Sequence, residues 1–113
     1  MKTASLTKEI VYKTDKPNIQ PLLETPFSKE IRIILKEGQI MKEHAAPGPI
    51  VVELFEGEID FGVNNEVHRI KKGDLLTLEA RVPHDLKAIK DSIVRLTLSK
   101  IDAIDRVFSV VRD

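Results

Sequence analysis

The chain has 113 residues, enough for one domain with a single hydrophobic core, and its eighteen basic and eighteen acidic residues cancel. With no cysteine, five aromatics and no basic cluster longer than Lys71-Lys72, disulfide and thiolate chemistry are excluded, and nucleic acid is a poor partner. No apolar run approaches the roughly 20 residues that span a bilayer, and Met1 to Ile10 lack the apolar core of a secretory signal, so no membrane partner and a cytoplasmic location are expected.

Ser5 to Tyr12 reads as a short helix capped by Ser5, with an opening strand as the alternative. Asp15-Lys-Pro17 is a turn, and Asn18 to Glu24 an extended segment anchored by Leu22 and Leu23. Thr25-Pro26 moves the chain out of helix geometry, because the residue before proline avoids the α region. From Ser28 the pattern becomes β. Glu30 to Leu35 is rich in β-branched residues and stops at Glu37-Gly38, and Ile40 to His44 is a short strand. Ala45 to Pro49 is a loop, since its two prolines cannot donate to a ladder. Ile50 to Phe55, the most apolar strand, should be central. Glu58 to Val63 and Glu66 to Ile70 flank Asn64-Asn65, a hairpin turn whose asparagines tolerate positive φ. Lys72-Gly73 leads into Leu75 to Leu78. A strand from Pro83-His84 to Ala88 and another from Ser92 to Ser99 complete an all-β sandwich or barrel of short strands. Ile101, Ile104, Val107, Phe108 and Val111 recur at helical spacing, an amphipathic helix after Asp102 whose stripe needs burial on this barrel or a partner's. The expected division is therefore an N-terminal arm over 1–27 packing on the barrel, the barrel over 28–99 and the helix over 100–113.

Two histidines end matching glycine-led stretches. Gly38 is followed by five residues and His44, with Gly57 beyond, and Gly73-Asp74 leads to Pro83-His84. On these two motifs, in order and correctly spaced over about half the chain, Gly38 to Ala88 resembles the cupin family. The resemblance implies a double-stranded β-helix, or jelly-roll, barrel like that of small single-domain cupins, which are commonly homodimers. In metal-binding cupins the first motif supplies two histidines and a glutamate, and the second a third histidine. Here the second histidine slot is Ala46 and the glutamate slot is Ile50, or Val51 with the longer spacing. Only His44 and His84 remain as candidate ligands. The proline and glycine slots of the second motif hold Glu79 and Arg81.

Two imidazoles are a thin metal site, since zinc and non-haem iron sites use at least three protein ligands. No cofactor is therefore expected; if iron, manganese, zinc or nickel binds, it does so at His44 and His84. Strand alternation places Ile40, Lys42, His44 and Ala46 on one face, and groups Ile50 with Val52 and His84 with Leu86. His44, His84, Lys42, Ile50 and Val52 are thus the candidate lining of an interior that is either a ligand pocket or a filled core. Arg81, in the turn before His84, can pair with a ligand carboxylate or with Glu79 or Asp85. The expected function is small-molecule binding without a complete metal site. The alternatives are a metal-dependent oxygenase, isomerase or decarboxylase, and a self-associating interaction module.

Overall fold

The computed structural model describes residues 1–100. Nine strands form two antiparallel sheets: β1 (Asn18–Glu24), β2 (Ser28–Leu35), β3 (Ile40–His44), β4 (Ile50–Glu56), β5 (Glu58–Val63), β6 (Glu66–Lys71), β7 (Leu75–Leu78), β8 (His84–Ala88) and β9 (Ser92–Ser99). The five-stranded sheet runs β1-β2-β9-β4-β7 and the four-stranded sheet β3-β8-β5-β6. The all-β jelly-roll expectation therefore holds, with strand limits that follow the glycine, proline and asparagine punctuation. The helix expected after Asp102 lies outside the described residues.

Alternating side chains build the core between the sheets. Ile33 and Leu35 of β2, Ile50, Val52 and Leu54 of β4, Ile59 and Phe61 of β5, Leu86 and Ala88 of β8 and Val94 of β9 are all at most 5% exposed and form one cluster. β4 is internal but not central. The middle of the five-stranded sheet belongs to β9, which pairs with β2 on one side and β4 on the other. A strand's apolarity reports how deeply its faces are covered, not its place in the strand order; Val51, on the outer face of β4, is in fact exposed.

Tight turns set the register. Asn64 and Asn65 have φ of 54° and 62°, the paired positive values of a primed two-residue hairpin joining β5 to β6. Asn65→Gly removes the residual strain of a side chain in that region. It is expected to stabilise the protein by about 0.5 kcal/mol, read as a shift in the denaturation midpoint. At Gly57 (φ +95°) a β-carbon would collide with Ser92 Oγ and the Asp91 carbonyl. That close approach lets the buried Ser92 hydroxyl accept the Glu58 N–H and donate to the Lys90 carbonyl.

Residues 5–12 are not helical. The Ser5 hydroxyl accepts the N–H groups of Thr7 and Lys8, as a helix cap would, but Glu9 takes φ of 54° and turns the chain away. The competing partner is Arg32, which projects from the outer face of β2 and is only 4% exposed. Its guanidinium donates to the carbonyls of Ser5, Lys8 and Glu9 and to the Gln20 side-chain oxygen. Carbonyls that would have served a helical ladder serve this cation instead. Farther along the arm, Asn18 Nδ2 donates to the Val11 carbonyl and Gln39 Nε2 to the Lys13 carbonyl. The Tyr12 phenol is held above its ordinary pKa by partial burial and by the carboxylates of Asp91 and Glu56. The arm thus crosses the outer face of the five-stranded sheet, while Asn18–Glu24 is itself the edge strand of that sheet.

Candidate functional site

β3 ends at His44, β8 begins at His84 and β5 ends at Val63, all at one end of the barrel. His44 pairs across the ladder with His84, and His84 with Val63, so both imidazoles stand on the last rung, beneath the loops 45–49 and 79–83. Their ring centroids are 4.4 Å apart with planes tilted by 59°. The His84 ring lies nearly parallel to that of Phe61, 5.5 Å between centroids and 11° between planes. His84 is buried at 6% exposure, whereas His44 is exposed at the rim.

Each imidazole is oriented by the backbone two residues before it. His44 Nδ1 lies 2.7 Å from the Lys42 carbonyl oxygen, and His84 Nδ1 lies 2.9 Å from that of Val82. A carbonyl only accepts, so each Nδ1 carries the proton and donates it, and in the neutral ring each Nε2 is left with its lone pair. No buried polar side-chain atom among the described residues lacks a partner. Since His84 Nε2 has no hydrogen bond of its own there, it is open to water.

A β-bulge decides which neighbours share this face. Met41 pairs with Leu86 and His44 with His84, so Lys42 and Glu43 together stand opposite the single residue Asp85. Strict alternation, which put Ile40, Lys42 and His44 on one face, is broken between Met41 and His44. Met41 packs against the core, while Ile40, Lys42 and Glu43 are exposed. Lys42 therefore meets the site through its carbonyl and not through its ammonium. Ile50 and Val52, each 3% exposed, belong to the packed core cluster. Phe61 and Leu86 close the interior beneath the imidazoles. Open clefts on the described residues include one of about 490 Å³ beside Leu22, Leu23, Ile31 and Leu98, one of about 210 Å³ on the 45–49 loop beside Ala46, Pro47 and Lys100, and one of about 640 Å³ beside Arg32 and Gln20. At the first of these the Lys100 ammonium, 2.8 Å away, holds the Glu24 carboxyl below its ordinary range.

Arg81 lies in the 79–83 turn with φ of 66°, and its N–H donates to the Ala46 carbonyl at 2.8 Å. Among the described residues its guanidinium forms no ion pair. The pairing with Glu79 or Asp85 is not formed; the Asp85 carboxylate lies over Gly62, which has no side chain to obstruct it. His68 shares the inward face with Phe61 through the β5–β6 register. It sits on an edge strand, exposed, 3.4 Å from Glu66 and apart from the other two histidines.

Among the described residues, no third side chain joins His44 and His84 to make up a metal centre. No group of three His, Cys, Asp or Glu side chains among the described residues is placed to hold an ion. Glu43 stands outward across the bulge, and Glu79 is exposed without joining the pair. Two imidazoles fall short of the three- or four-ligand sets of zinc and non-haem iron. What sequence reasoning missed is the Phe61 stack and the backbone carbonyls that orient both rings. The first depends on strand order and the second on loop geometry, and neither leaves a motif.

Comparison with known proteins is consistent with this architecture. The family model described as "Cupin domain" matches residues 31–100. Among solved structures, an RmlC-like cupin protein from Desulfovibrio desulfuricans superposes with a TM-score of 0.80 at 22% identity, covering 88% of this chain and 96% of its own. A conserved protein of unknown function from Streptococcus pyogenes gives 0.75 at 24% identity, covering 88% and 87%. A cupin superfamily protein from Desulfitobacterium hafniense gives 0.74 at 12% identity, covering 80% and 83%. At these identities the likeness speaks to fold alone. No curated protein matches the chain.

Proposed function

The chain belongs to the cupin family, and on that premise we propose that it binds a small molecule at the barrel mouth through His44 and His84, as a binding protein without a resident metal. The observation that supports this reading is the pair of oriented imidazoles. Both Nδ1 protons are committed to backbone carbonyls, which leaves two neighbouring Nε2 acceptors at the end of the ladder. A ligand that satisfies them brings hydroxyl, amide or ammonium donors. Because Phe61 and Leu86 fill the interior below, the ligand sits on the rim, over a floor that Ile50 and Val52 help to support.

A panel of small polyols, amides and hydroxy acids, followed by side-chain ¹⁵N NMR of the histidines, tests the reading. The expected result is a shift of both Nε2 resonances on binding, with Nδ1 staying protonated. His44→Ala abolishes the response while changing stability by no more than about 0.5 kcal/mol, because His44 is exposed. His84→Ala also abolishes it, and costs about 1–3 kcal/mol because the ring is buried against Phe61. A panel in which no compound moves either ring overturns the proposal. One full equivalent of metal bound through both Nε2 atoms of the purified protein overturns its metal-free part.

A further inference from the structure

Arg81 holds a left-handed backbone conformation, φ 66°, that glycine adopts freely and arginine only under strain. The bond from its N–H to the Ala46 carbonyl ties the turn to the loop that follows His44. Arg81 is thereby placed at the rim, three residues before His84 and beside the residue two beyond His44. Its side chain is exposed and forms no ion pair among the described residues, and the Asp85 carboxylate lies over Gly62 without pairing with it. The turn itself needs only the backbone, so what arginine adds here over glycine is the guanidinium.

In the tautomer set by the Lys42 and Val82 carbonyls the two Nε2 atoms offer lone pairs, which repel a carboxylate and attract a hydroxyl proton. The guanidinium offers the opposite, a planar fork of donors that suits a carboxylate. We propose that Arg81 is the specificity-determining residue of the mouth and that the ligand class is small hydroxy acids. The ligand hydroxyl donates its one proton to an imidazole Nε2 and its carboxylate takes Arg81. This rests on the reading of His44 and His84 as the binding pair.

Glycolate, acetate and ethylene glycol separate the two contributions when titrated in mildly alkaline buffer, with the histidine and arginine side-chain ¹⁵N signals as readout. Glycolate is expected to move Arg81 Nε together with at least one of His44 and His84, and to bind at least about tenfold more tightly than ethylene glycol. Acetate, which lacks the hydroxyl, is expected to bind more weakly than glycolate. Arg81→Gly should keep or raise the thermal midpoint while reducing glycolate to the level of ethylene glycol; Arg81→Lys, a point charge without the fork, should fall between. If glycolate and ethylene glycol move the histidines equally, and Arg81→Gly changes neither, the Arg81 assignment is overturned and the His44–His84 site stands. If glycolate moves Arg81 alone, the hydroxy-acid class is overturned. If no probe moves any of the three, both readings fail.

Discussion

Replacing Arg32 by alanine lowers the unfolding free energy by about 2–4 kcal/mol and opens residues 1–17 to protease, while the barrel itself stays folded. The guanidinium is 4% exposed and is the shared donor for the carbonyls of Ser5, Lys8 and Glu9 and for Gln20. Its truncation strands several acceptors at once, and the arm recovers hydration only by lifting away. Lifting uncovers the outer face of the five-stranded sheet, where Ile34 and Ile93 are now 0% and 3% exposed. Chemical denaturation gives the energy. Limited trypsin digestion should show early cleavage after Lys8 or Lys13. Arg32→Lys should recover only part of the loss, since one ammonium cannot reach acceptors spread around a planar fork. An arm that stays protected in Arg32→Ala would show that other contacts hold it.

Phe61→Ala is expected to cost about 3–5 kcal/mol, the range for removing a buried aromatic ring whose surroundings relax only partly. Phe61 is 2% exposed, packs in the core cluster and lies nearly parallel to the His84 ring. Phe61→Leu keeps most of the volume and should cost only about 1–2 kcal/mol. That milder variant separates fold from site. The barrel remains, but His84 loses the flat surface that fixes its tilt, and ligand response at the mouth should weaken without unfolding. Denaturation midpoints together with the His84 side-chain NMR signals check both parts. A Phe61→Leu protein with unchanged His84 signals would show that the Val82 carbonyl alone orients the ring.

Strand existence and order along the chain were legible because each break carries its own chemistry. Pro47 and Pro49 end a ladder, and Asn64-Asn65 accept positive φ. The two histidines of the mouth were legible from their spacing to Gly38 and Gly73, and the ladder pairs them directly. The faces they share with their neighbours were not. A single bulge residue between Met41 and His44 reverses parity, so Lys42 turns outward although alternation put it inside. The residues 5–12 misread has the same kind of cause: a local cap signal at Ser5 was outcompeted by a long-range partner, Arg32, from another strand.

By itself, then, the sequence determined the strands, the turns and the two imidazoles, since all of these depend on residues close together in the chain. Tertiary structure alone decided that Phe61 closes the interior under His84, that Arg32 gathers the arm, and that the Arg81 N–H ties its turn to the Ala46 carbonyl at the rim. Each of those is a meeting of segments far apart in sequence. Such meetings depend on strand order, on register and on one-residue bulges, and local patterns of hydrophobicity carry no record of them.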